Sequence, residues 1–132
     1  GKKRVIVLLG INDLADYNKS VEYVAGKYGD FAKQLSEAMP DANIYVQSVL
    51  PVAKSYNNSK TKITNEKINQ YNTLLKSEVE GGNVHYLDIN PSMRDSEGYL
   101  PAEVTSDGLH MKKDYYGYWM NVIMEHIQSV EG

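Results

Sequence analysis

The sequence predicts an α/β domain in which helices pack on a parallel β-sheet. Three observations carry that expectation. Strand-like and helix-like segments alternate along the 132 residues. The first strand-like segment is apolar nearly throughout, the pattern of a parallel strand covered on both faces. Each helix-like segment carries one apolar stripe at steps of three and four residues.

The elements follow in order. "RVIVLLG" (4–10) is rich in β-branched residues, ends at a glycine and predicts the first strand. Val21, Val24, Tyr28, Phe31, Leu35 and Met39 predict a helix, with Ser20 as its N-cap and Pro40 as its stop. "NIYVQSVLP" (43–51) predicts the second strand. Ile68, Tyr71, Leu75 and Val79 form a second helical stripe, closed by Gly81 and Gly82. "NVHYLDI" (83–89) predicts the third strand, and Tyr116, Trp119, Ile123, Ile127 and Val130 the last helix. Crossovers between parallel strands are expected to be right-handed. Two irregular stretches remain, a polar one at 52–62 and a longer one at 90–112, and the second is long enough to suggest a function.

Composition bounds the function. The chain is 42% hydrophobic and 23% charged, which fits one domain over residues 1–132. Fourteen basic residues against seventeen acidic give a net charge of −3, and the lysines are scattered, so a nucleic-acid partner is not expected. No apolar run approaches the roughly 20 residues of a membrane span. The apolar run in "GKKRVIVLLG" is also short for a secretory leader. With no cysteine there is no disulfide, thiolate metal site or cysteine nucleophile. Three widely spaced histidines do not suggest zinc, and neither a metal nor an organic cofactor is expected. The imbalance of 11 Tyr to 1 Phe reads as compositional habit in preference to a Tyr-lined polyol cleft.

In an open parallel sheet, chemistry collects beyond the C-terminal ends of the strands. "GIND" (10–13), "PVAKSYNN" (51–58) and "NPSMRDSEGYLPAEVTSDGLH" (90–110) should therefore share one edge. Asp107 and His110 stand three apart, a spacing that on a tight turn lets the carboxylate bond His110 Nδ1 and leaves Nε2 facing outward as an acceptor. Asn12 brings an amide donor to the same edge, suited to the oxyanion of an acyl-transfer intermediate. Alone, Asn12 and Asp13 would read as turn and helix-start residues, and Asp107–Gly108 as a plain turn. His85 reads as a structural histidine, and Asp95 and Glu97 as solvated.

At these motifs the sequence resembles the SGNH (GDSL-type) ester hydrolases. "GIND" and "DGLH" resemble that family's third and fifth blocks. "MPDANIYVQSVLPV", "NEKINQYNTLL" and "DGLHMKKDYYGYW" extend the likeness over nearly the whole chain. The resemblance implies a three-layer α/β/α flavodoxin-like sheet, with Asn12 in the oxyanion hole and Asp107 and His110 as triad members. The family's first block, the Gly-Asp-Ser that carries the nucleophile, has no counterpart here, nor has its second block. The chain thus resembles the C-terminal part of such a domain, lacking the first two strands. Ser48, Ser92, Ser96 and Ser106 are poor substitutes for the nucleophile, which needs a fixed hydrogen bond to its base.

These implications give an expectation: part of a serine esterase, lipase or acylhydrolase acting through an acyl-enzyme on a small ester, a lipid or an acylated glycan, and inactive as this chain alone. The competing expectation is a non-catalytic binding module on the same fold. A response-regulator-like domain is disfavoured, because an Asn and a Gly stand where its acidic cluster would be. In the order 2-1-3-4-5, loss of two strands would leave 4–10 as a bare apolar edge, open to self-association or to pairing with the missing segment.

Overall fold

A computed structural model describes residues 3–16, 18–57 and 62–132. Its chain order is β1 (Arg4–Leu8), α1 (Ile11–Leu14), α2 (Val21–Ala38), β2 (Asn43–Gln47), α3 (Asn65–Val79), β3 (Val84–Leu87) and α4 (Tyr116–Glu131). Short 3-10 turns at Asn90–Met93, Ala102–Val104 and Lys113–Tyr115 punctuate the last connection. The strands pair in parallel in the order β1-β2-β3, with Ile6 opposite Tyr45 and Tyr45 opposite His85. The expected alternation and all-parallel sheet are therefore present.

Side-chain alternation sorts the core into two layers. Ile44, Val46, Val84 and Tyr86 point to the face covered by α2 and α3, where they meet Val24, Ile68, Tyr71 and Leu75. Tyr45 and Leu87 point to the other face, where they meet Ile123 and Ile127 of α4. Most residues of the stripes read from the sequence make these contacts, but Phe31, Tyr116 and Val130 are exposed. Ser20 caps α2 as expected, its Oγ accepting the Tyr23 N–H at 3.0 Å. Thr64, unread in the sequence, caps α3 by accepting from Lys67 N at 3.3 Å.

All three strands stop short of their sequence-predicted ends, at Leu8, Gln47 and Leu87. Beyond β2 the reason is competition from side-chain amides. Asn72 takes both backbone groups of Val49, and Asn65 takes both of Val52, at 2.8–3.0 Å. The segment stays extended and buried while leaving the ladder. Part of the polar stretch at 52–62 lies outside the described residues.

The expectation that the first strand is covered on both faces fails. Val5 and Val7 pack toward α2 and α3. Ile6 and Leu8, on the opposite face, are 40% and 44% exposed. The cause is position: β1 is an edge strand among the described residues, and α4 packs against β3, at the far side of the sheet. Among the described residues a bare edge is present along Arg4–Leu8, shorter than the 4–10 anticipated.

Tyrosine is used as an apolar ring with an anchor. Tyr71 is fully buried and donates to the Leu9 carbonyl at 2.8 Å, joining α3 to the end of β1. Tyr45 is fully buried and bonds the Glu131 carboxylate, which also receives two bonds from Arg4 at 2.7 and 3.0 Å. Tyr28 donates to Asp13 at 2.6 Å. His85 stacks on Tyr45 with ring centroids 5.3 Å apart, in keeping with a structural role. No helix among the described residues is long and apolar enough to cross a membrane.

Candidate active site

The chain leaves β1 through Gly10, whose φ of 106° lies in the left-handed region where a side chain is strained. A Cβ there would also collide with the Tyr71 hydroxyl. This turn starts α1 and sets Asn12 in its first turn, exposed and with no side-chain hydrogen bond to any described residue. Its neighbour does the opposite work. Asp13 accepts from Tyr28 at 2.6 Å and from Lys19 and Lys27 at 3.1 Å each. Those donors, Tyr28 foremost, pull its carboxyl down to about 2. Lys67 bonds the Leu14 carbonyl at the end of the same helix. The carboxylate beside Asn12 thus clamps α1 to α2, and the amide is displayed.

The second motif folds on itself. Asp107 Oδ1 accepts the N–H of Leu109 at 2.8 Å and of His110 at 2.7 Å. Asp107 Oδ2 lies 2.6 Å from His110 Nδ1, as the spacing predicts. The His110 ring, followed by the two backbone N–H groups, holds the Asp107 carboxyl far below its usual range. Thr105 completes the turn: its hydroxyl accepts from Gly108 N at 2.9 Å and donates to the His110 carbonyl at 2.6 Å. Ser106, between Thr105 and Asp107, is exposed. The sequence carried the signal in the spacing, a hydroxyl two residues before the acid.

The loop after β2 holds the dyad turn in place. Ala53 N donates to the Gly108 carbonyl at 2.8 Å. A Cβ on Gly108 would approach Tyr56 Cβ to 2.8 Å, so the two loops touch backbone to side chain. The dyad itself is open to solvent, with side-chain exposures of 76% for His110 and 52% for Asp107.

The two motifs border one cleft of about 190 Å3. Leu8 and Ile11 contribute from the end of β1 and the start of α1, His110 and Met111 from the dyad turn, and Tyr116 and Trp119 from α4. Ile11, which lines the cleft with His110, directly precedes Asn12 in α1, but Asn12 itself is not among the lining residues. Trp119 Nε1 is buried without a hydrogen-bond partner among the described residues, as is Gln47 Nε2 on β2. Ser48 is fully buried and accepts from Asn90 N at 2.8 Å, which removes it as a nucleophile. Among the described residues, no serine hydroxyl bonds the His110 ring. Asp95 is exposed, as read, yet it also organises its loop by accepting from Glu97 N and Tyr99 N at 2.9 and 3.0 Å.

Comparison with solved structures finds the same fold in several proteins. A Streptococcus pneumoniae protein described as a platelet activating factor matches with a TM-score of 0.80 at 22% identity, over 94% of this chain and 59% of that one. A GDSL-like lipase from Bacteroides thetaiotaomicron matches at 0.73 and 21% identity, over 96% and 62%. A carbohydrate esterase of family 3 from Talaromyces cellulolyticus matches at 0.65 and 17%, over 98% and 59%. The chain therefore spans about three-fifths of the length of these neighbours. No curated protein matches it in sequence. The profile of the GDSL-like Lipase/Acylhydrolase family matches residues 2–117, and the chain belongs to that family.

Proposed function

We propose that this chain carries the base and one oxyanion donor of a serine ester hydrolase that works through an acyl-enzyme. A serine Oγ attacks the ester carbonyl carbon and its proton passes to His110 Nε2. Asp107 fixes the ring through Nδ1 and stabilises the imidazolium. The Asn12 amide donates to the tetrahedral oxyanion. Collapse expels the alcohol, which takes the proton from His110, and water repeats the sequence to free the acid. The observation that carries this reading is the 2.6 Å contact between Asp107 and His110 Nδ1, on the wall of a cleft that also includes Ile11.

The nucleophile comes, in this reading, from a strand added in parallel along the free edge of β1. Such a strand would end beside Gly10, at the same sheet edge as Asn12 and His110. The unpaired edge, the exposed Ile6 and Leu8 and the greater length of the structural neighbours support it. The chain alone is then inactive or nearly so. The substrate is a small ester, a lipid ester or an acylated glycan, and the likeness to a carbohydrate esterase favours the last.

The test is fluorophosphonate labelling and p-nitrophenyl acetate hydrolysis by the native gene product that carries this sequence. One serine should be labelled, His110→Ala should abolish labelling, and Asn12→Ala should slow hydrolysis about 100- to 1000-fold. Labelling that survives His110→Ala unchanged refutes the proposal.

A further inference from the structure

A second hollow, of about 350 Å3, lies between α3 and the segment that follows β3, away from the dyad cleft. We propose that it binds a polyhydroxylated carboxylate, the simplest class being an acidic sugar. Its wall includes Asn69, Thr73 and Lys76 on one face of α3, Tyr86 on β3, and Asp88 and Arg94 beyond it.

Arg94 is the built feature. Its Nε donates to Asn90 Oδ1 at 2.6 Å and its Nη2 to Asn69 Oδ1 at 3.1 Å. Asn90 is 1% exposed and itself locked, donating through Nδ2 to the Val49 carbonyl at 2.7 Å and through N to Ser48 Oγ at 2.8 Å. A buried asparagine thus orients an exposed guanidinium, whose other N–H groups remain available as a fork for a carboxylate. Among the described residues, none of Lys76, Asp88 and Arg94 has an opposite charge within 4.0 Å. Two cations and one acid therefore line a single hollow without neutralising one another.

That mixture selects the ligand. A bare anion would suit Lys76 and Arg94 but would be repelled by Asp88. A sugar acid turns its carboxylate to the two cations and donates hydroxyls to Asp88, while Asn69 and Thr73 serve further hydroxyls and the Tyr86 ring offers an apolar surface. The hollow is at the lower end of the volume range of small-molecule sites, which suits one ring. The inference does not use His110 or Asn12, so it stands or falls separately from the hydrolase reading.

The experiment titrates glucuronate, glucose and inorganic phosphate separately into the 132-residue chain, followed by amide NMR. Glucuronate should give saturable shifts at Asn69 and Thr73, with glucose at least about tenfold weaker and Arg94→Met weakening glucuronate by a similar factor. Asp88→Asn should weaken glucuronate and strengthen phosphate. Absence of saturable shifts with glucuronate overturns the proposal, as does phosphate binding as tightly as glucuronate. Should Arg94→Met fail to fold, Lys76→Met on the exposed face of α3 replaces it with the same readout.

Discussion

At the scale of single residues, the site depends on what holds the imidazole. Asp107 spends one oxygen on two backbone N–H groups and the other on the His110 ring, so the same carboxylate shapes the turn and sets the tautomer. Asp107→Asn keeps the size but presents an amide that can favour the wrong tautomer. Hydrolysis by the native gene product should fall roughly 1000- to 10,000-fold with binding little changed, read as a loss in kcat at constant KM. Asp107 and His110 were legible in the sequence because their contact spans three residues and needs no other element. Asp13 was not. Its partners Lys19, Lys27 and Tyr28 lie six, fourteen and fifteen residues away, and only the packing of α2 shows that this acid clamps while Asn12 is displayed.

At the scale of elements, α1 has four residues, far too few to be stable by its own hydrogen bonds. It exists because Asp13 ties it to α2, Lys67 to α3, and Gly10 turns the chain over Tyr71. The carboxyl of Asp13 sits at about 2, below its ordinary 3.8, so its stabilisation is complete above 3.8 and is lost as pH falls through about 2. Urea midpoints between pH 6 and pH 2 should show Asp13→Asn less stable by about 1–2 kcal/mol at the upper end, with the gap closing at the lower. The sequence extended β1 to Gly10 because Leu9 is as apolar as the strand before it; only the backbone shows that the run turns at Gly10, where the φ is 106°. β2 was overextended for a different reason: Val49 and Val52 are as apolar and buried as ladder residues, but asparagines from α3 take their backbone bonds.

At the scale of the whole molecule, α2 and α3 cover one face of the sheet, α4 covers the other over β2 and β3, and β1 is left open on that second face and along its edge. Ile6 and Leu8 face solvent next to a strand edge that no described strand pairs, which is a template for another strand. In sedimentation velocity, the isolated chain should associate as concentration rises, and Ile6→Lys should return it to monomer; a wild-type chain that stays monomeric with a sharp unfolding transition counts against the open edge. The layer order was legible from the alternation of elements, whereas the exposure of β1 could not follow from its own apolar pattern, because coverage is decided by where α4 lies. The tyrosine anchors have a further consequence, on the alkaline side. Burial pushes the Tyr45 phenol up to about 12 from an ordinary 10, and Tyr71 and Tyr86 are raised for the same reason. An unfolded chain surrenders those protons near pH 10 while the folded one keeps them, so each ring that a phenylalanine would have filled at no such cost makes the domain less tolerant of strong base.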